Sequence, residues 1–265
     1  MTRRRPPVSR TVEGHVARKR YGQNFLADPY YVARIADAVA PQPGDTVVEI
    51  GPGLGALTGD LIARAGRIVA IEIDRDLAAR LRERYAEDQL HLVVGDALDV
   101  DFASLGRSLR VVGNLPYNIS SPILFRLAAQ ADALRDVTVM LQKEVVARMT
   151  AEPGTAEYGR LTVTLGATFA VERLFVVPPG AFRPPPKIDS AVARLTPLGA
   201  ARPDIRDPAR FESVVAAAFS QRRKTLRNAL SSLVTPDEFA AAGIDAQRRG
   251  ETLSVAEFVA LSARA

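Results

Sequence analysis

A strand that runs into a glycine-rich turn and then a helix constrains this 265-residue chain more than any other segment. The apolar run Thr46–Ile50 leads into Gly51-Pro52-Gly53-Leu54-Gly55, and a helical pattern continues to about Ala65. A strand of this kind is buried on both faces, and its glycines let backbone approach a ligand lying beyond its carboxyl end. The same texture recurs downstream. Apolar runs at 67–73, 90–94, 109–113 and 137–141 read as strands, and 28–40, 76–85, 121–131, 143–149 and 158–168 read as helices. Two closing strands are expected at 171–177 and 191–195, with Pro184-Pro185-Pro186 between them. Strands alternating with helices predict an α/β fold with a mainly parallel sheet covered on both faces. Past Pro197 the chain changes character. Residues 198–208 are small, polar and proline-containing, which suits a linker, and 209–265 read as a small all-α domain. Within 219–233, Phe219, Leu226, Leu230 and Leu233 form one helical stripe, with Arg223, Lys224 and Arg227 to one side.

Composition removes whole classes of chemistry. Without cysteine there are no disulfides or thiolate metal sites. The two histidines, His15 and His91, fall in unrelated contexts, which argues against a histidine triad and against a metal centre. No apolar run reaches membrane-spanning length and no signal-like core follows the basic N-terminus, so a cytoplasmic location is expected. The net charge of +5 is concentrated at one end. Residues 1–20 carry Arg3, Arg4, Arg5, Arg10, Arg18, Lys19 and Arg20 against Glu13, a net +6, leaving −1 for the rest. Residues 1–14 read as a disordered basic arm, a type of segment that commonly binds nucleic acid. Lysine is scarce: Lys19, Lys143, Lys187 and Lys224 are the only four, and each falls in a segment with other marks of function.

Four strand ends carry polar groups in an order that has a chemical meaning. Gly51 and Gly53 open the first crevice. Glu72, 21 residues after Gly51, can accept hydrogen bonds from both hydroxyls of a ribose. These two features alone also fit a nicotinamide dinucleotide, since Gly51-x-Gly53-x-x-Ala56 satisfies the relaxed fingerprint. Asp96, after the third strand, suits the amino group of an adenine, although an aspartate there also serves as a helix cap. Asn114-Leu115-Pro116-Tyr117 at the fourth strand decides between the two. An exocyclic amine is a poor nucleophile because its lone pair is delocalised into the ring. The Asn114 oxygen and a neighbouring backbone carbonyl can each accept one of its N–H bonds and so favour a pyramidal nitrogen. Pro116 has fixed φ and no N–H to compete for those acceptors, and Tyr117 offers a stacking face. Phe182 is the candidate for the opposite face, since Pro184-Pro185-Pro186 stiffens the segment that carries it; the alternative is a core residue that anchors that segment. A nucleoside cofactor beside a second base spells methyl transfer from S-adenosyl-L-methionine to an amino nitrogen.

On these residues the chain resembles the ribosomal RNA adenine N6,N6-dimethyltransferases, and within them the bacterial small-subunit branch. The likeness spans roughly residues 14–260. It runs through His15–Leu26, Glu49–Gly55, Glu72-Ile73-Asp74, Gly95-Asp96-Ala97, Asn114–Ser120, Leu141–Val145, Phe182–Val192 and Phe219–Asn228. The resemblance implies a Rossmann-like class I methyltransferase domain over 15–197. It implies closure of Asn24 and Leu26 over the methionine part of the cofactor, and cofactor contacts at Gly51, Glu72, Asp96 and Asn114. The implied substrate is 16S rRNA in a small ribosomal subunit or its precursor, where two adjacent adenosines of a hairpin loop near the 3′ end each receive two methyl groups. Arg222, Arg223, Lys224 and Arg227 are candidate RNA contacts, and a monomer is expected. Two other readings are a large-subunit rRNA adenine methyltransferase of the macrolide-resistance type and a non-catalytic ribosome-assembly factor.

Overall fold

The computed structural model describes residues 11–18 and 21–263. Arg3, Arg4, Arg5, Arg10, Lys19 and Arg20 of the basic arm lie outside them. Residues 11–14, expected to be disordered, belong instead to a small hairpin of β1 (Thr11–Val12) and β2 (His15–Val16). Its turn is made by Glu13 and Gly14, both at positive φ. The hairpin owes its order to contacts far away in sequence. Arg80 Nη1 donates to the Glu13 carbonyl at 2.8 Å, and His15 is buried.

Next come β3 (Phe25–Leu26), α1 (Pro29–Val39), β4 (Val47–Ile50), α2 (Thr58–Ala65), β5 (Ile68–Glu72), α3 (Arg75–Arg84), β6 (Leu90–Val94) and β7 (Leu109–Asn114). They are followed by α4 (Ser120–Ala129), β8 (Leu134–Gln142), α5 (Lys143–Met149), α6 (Arg160–Gly166), β9 (Phe169–Val177), β10 (Phe182–Arg183) and β11 (Ser190–Pro197). Seven strands form one sheet in the order β6-β5-β4-β7-β8-β11-β9. The first five are parallel, and β11 runs antiparallel to both β8 and β9. Apolar clusters cover both faces, as the near-continuous hydrophobic strands require. Strand order reverses between β4 and β7, so a crevice opens at their carboxyl ends, where open parallel sheets take ligands. At the other end of the same strands, buried Arg110 bonds Asp136, Asp45 and the Ala40 carbonyl. Those partners knit β7, β8 and the end of α1 into one block.

The remaining helices are α7 (Pro208–Ser220), α8 (Leu226–Ala229), α9 (Pro236–Ala241) and α10 (Val255–Ser262). The stripe over 219–233 is not one helix. α7 stops at Ser220, residues 221–225 turn, and α8 is a single turn. Leu226 and Leu230 are nevertheless buried, as the stripe required. The helix breaks because the Leu226 and Arg227 N–H groups donate to the Arg248 and Ala246 carbonyls at 2.8 and 2.9 Å, not to α7. Residue spacing reports which side chains go inward, and it does not say where the backbone donors go. These helices share their core with Tyr158, Val163 and Ala167, and the Tyr158 hydroxyl donates to the Leu253 carbonyl at 2.6 Å.

Gly113 on β7 sits opposite Ile50 of β4, where a Cβ would lie 2.6 Å from the Ile50 carbonyl oxygen. Central strands cannot part to admit that methyl without loosening their ladder. Gly113→Ala is expected to cost about 1–3 kcal/mol, read as a lower urea midpoint. A midpoint equal to the parent's would show that the two strands can yield there.

Candidate active site

A cavity of about 300 Å³ lies at the carboxyl end of the sheet. Asn24, Leu26, Gly51, Gly53, Glu72, Asp96, Asn114, Leu115, Pro116 and Tyr117 all line it. The glycine turn supplies its floor. Gly51 and Gly53 have φ of 66° and 61°, a region that side chains rarely adopt, and a Cβ on Gly53 would meet the Phe25 ring at 3.0 Å. Glu72 ends β5 and is buried. Its two oxygens accept from the Gly53 N–H at 3.1 Å and the Asp74 N–H at 2.8 Å. Burial raises its pKa, and those two donors pull the other way. Asp96 accepts from the Leu98 N–H at 2.9 Å, a turn that fixes its carboxylate at the mouth of β6.

The N-terminal segment closes the cavity from the opposite side through one carboxylate. Asp74 is fully buried and caps α3 by accepting from the Asp76 N–H. It also accepts from Arg18 Nη1 at 2.7 Å and Gln23 Nε2 at 3.0 Å, with His15 Nε2 at 3.7 Å. Arg18 reaches Asp76 as well. The Phe25 ring packs edge-on against His15, with centroids 5.8 Å apart, and lies over Gly53. Sequence reasoning set His15 aside and did not single out Asp74 as a hub. The one available signal was its place two residues after Glu72, where an aspartate starts a helix.

At the fourth strand end, Asn114 Nδ2 donates to the Asn24 carbonyl at 2.9 Å. With its amide nitrogen committed, Oδ1 is the atom left to accept from an incoming amine. Leu115 is buried and pins the turn, and its N–H donates to the Met140 carbonyl. The Pro116 carbonyl accepts from the Ile119 N–H and from Ser120 Oγ. Phe182 departs from expectation. Its side chain is fully buried among Leu26, Val39 and Val192, and β10 pairs it with Leu26. It lies outside the cavity lining and anchors β3 beneath the N-terminal segment, as a core residue does.

The profile of the ribosomal RNA adenine dimethylases matches residues 14–265. The chain belongs to that family. It is 59% identical over 248 residues to the ribosomal RNA small subunit methyltransferase A of Aromatoleum aromaticum, covering 94% of each chain. The protein of that name from Thiobacillus denitrificans is 56% identical, covering 94% of this chain and 98% of its own. Among solved structures, a dimethyladenosine transferase from Plasmodium falciparum superposes with a TM-score of 0.77 at 25% identity, over 89% of this chain and 95% of its own. The 23S rRNA methyltransferase ErmE gives 0.66 at 29% identity, over 90% and 98%.

In this dimethylase Tyr117 is half-buried, and its hydroxyl lies 2.7 Å from Ser190 Oγ on β11. Burial pushes the phenol pKa up, so it stays protonated. Ser190 is fully buried and holds the ring that lines the cavity. Ser190→Ala should lower methylation with a smaller effect on stability than Tyr117→Ala. Equal methylation by Ser190→Ala and the parent would show that the ring needs no tether.

Glu49 is a second buried acid of the dimethylase cavity. Desolvation pushes it up to about 7, opposed by the Thr58 hydroxyl donating at 2.7 Å and reinforced by the charge of Glu72. Between the ordinary value of 4.5 and about 7, the folded chain therefore keeps a proton that the unfolded chain loses. Stability from this group falls as pH rises through that window. Glu49→Gln should flatten the slope of unfolding free energy against pH there, measured by urea titrations. An unaltered slope would mean that Glu49 does not titrate in this range.

Proposed function

We propose that this dimethylase transfers methyl groups from S-adenosyl-L-methionine to the N6 amines of two adjacent adenosines, in a hairpin loop near the 3′ end of 16S rRNA within a small subunit or its precursor. The observation that carries the reading is the Asn114 amide: its nitrogen is spent on the Asn24 carbonyl, so its oxygen is the acceptor beside the cofactor half of the cavity. The residues present suit the cofactor. The positive-φ glycines make room for it, Glu72 keeps acceptor capacity for ribose hydroxyls, and Asp96, which lines the same cavity, suits an adenine amine. When bound, S-adenosyl-L-methionine supplies an electrophilic methyl on a sulfonium. The chain's own part is to stack the target base on Tyr117 and to accept an amine N–H at Asn114 Oδ1, which frees the nitrogen lone pair as the nitrogen turns pyramidal. The buried acids Glu49 and Glu72 line a site that is to hold a cationic group. The names of the most similar relatives favour the small subunit over the large one.

The RNA grip is placed on Arg223, Lys224 and Arg227. Arg223 and Lys224 are exposed at the turn after α7 and Arg227 is exposed on α8, and none has a carboxylate partner among the described residues. Arg222 is exposed beside them, and its guanidinium also bonds the Ala156 carbonyl at 2.7 Å and Glu251. No helix among the described residues is long and apolar enough to cross a membrane.

Labelled S-adenosyl-L-methionine and unmethylated small subunits, followed by mapping of the modified base, test the reading. Label is expected on adjacent adenosines, and label on large-subunit RNA alone would overturn it. Asn114→Ala should slow methylation roughly a hundredfold at saturating substrates. Glu72→Ala should instead weaken cofactor binding at least about tenfold, since each charge-assisted bond contributes about 1.5–3 kcal/mol. A calorimetric affinity equal to the parent's would remove Glu72 from the cofactor site.

A further inference from the structure

A second cavity, of about 500 Å³, opens beside the first, between α4, α5 and the start of α6 on one side and the end of α7 on the other. Its chemistry differs from that of the cofactor cavity. Phe125 of α4 is half-buried, and the Arg160 guanidinium carbon stands 5.3 Å from the centre of its ring. Arg160 is exposed and has no carboxylate partner among the described residues, although Glu144 and Glu157 line the same cavity. Glu144 is taken by Arg148, and Arg222 is held by Glu251 and the Ala156 carbonyl. Tyr158 and Phe219 complete the lining, their rings 6.0 Å apart at 61°.

An aromatic ring with a planar cation over it, and no carboxylate on that cation among the described residues, suits a heteroaromatic base and the phosphate attached to it. The acids in the wall speak against a bare polyphosphate and favour a base with N–H donors. Position supplies the rest. α4 begins directly after the Asn-Leu-Pro-Tyr turn; Ile119 lines the first cavity and Ser121 the second. A strand that delivers one base to Tyr117 can therefore continue along α4 toward the second opening. We propose that this cavity receives a nucleotide flanking the target adenosine, with its base on Phe125 and its phosphate on Arg160. The site would tell the enzyme which adenosine of a single strand to take. The inference rests on the RNA adenine reading above.

Steady-state methylation of unmethylated small subunits tests it, with cofactor affinity and melting temperature measured on each variant. Phe125→Leu keeps apolar bulk for helix packing but no stacking face. It should raise KM for the RNA substrate about tenfold with kcat, cofactor affinity and melting temperature near the parent's. Phe125→Tyr should restore KM. Arg160→Lys keeps the charge without the planar group and should fall between the parent and Arg160→Ala. An unchanged KM in Phe125→Leu, or a lowered melting temperature with KM unmoved, overturns the nucleotide site while leaving the enzyme's activity as proposed. A parent protein that binds the cofactor but methylates no ribosomal RNA overturns both.

Discussion

The close approach of β4 and β7 governs the rest of the molecule. Where Gly113 faces the Ile50 carbonyl there is no room for a side chain, so the two strands end at the same height. Strand order reverses at this pair, and the helices that follow β4 and β7 depart to different sides. The glycine turn and Asn114 are consequently one strand apart although some sixty residues separate them in the chain. The glycine turn and Asn114 can face one cavity because two backbones touch at their centre.

Around that pair, buried carboxylates transmit order from one segment to another. Asp74 ties Arg18 and Gln23 of the N-terminal segment to the start of α3, and its N–H holds Glu72, whose other oxygen holds the glycine turn. Each link satisfies a buried polar group that would otherwise be costly. The N-terminal segment, Glu72 and the glycine turn are thus held together by one run of hydrogen bonds. Asn24 joins the same network to the Asn-Leu-Pro-Tyr turn through its carbonyl. The arrangement explains how a cavity roofed by a short peripheral segment keeps a defined shape.

The C-terminal helices are fastened differently. Their core includes Tyr158, Val163 and Ala167 from the sheet-bearing half, and burial pushes the Tyr158 hydroxyl up to about 12 as it donates to Leu253. A shared core of this kind sets the basic segment 221–227 in a fixed relation to the Asn-Leu-Pro-Tyr turn, with the second cavity between them.

Local pattern in the chain was enough to place the strands, the glycine turn, Glu72, Asp96 and the Asn-Leu-Pro-Tyr turn, because each is carried by adjacent residues whose side-chain period or backbone freedom has one reading. It was also enough to say that Leu226 and Leu230 go inward. It could not say that Phe182 is packed against Leu26, since an aromatic before prolines suits a base or a core equally until its pairing partner, more than 150 residues earlier, is known. It could not find the hairpin at 11–16, whose order comes from Arg80 and Asp74, nor the break after Ser220, whose donors turn to Ala246 and Arg248. Side-chain period and turn chemistry are properties of neighbouring residues; burial of a particular ring, and the destination of a particular N–H, are properties of what folds against it. For that reason sequence alone named the chemistry, and only the tertiary structure decided which side chains were free to perform it.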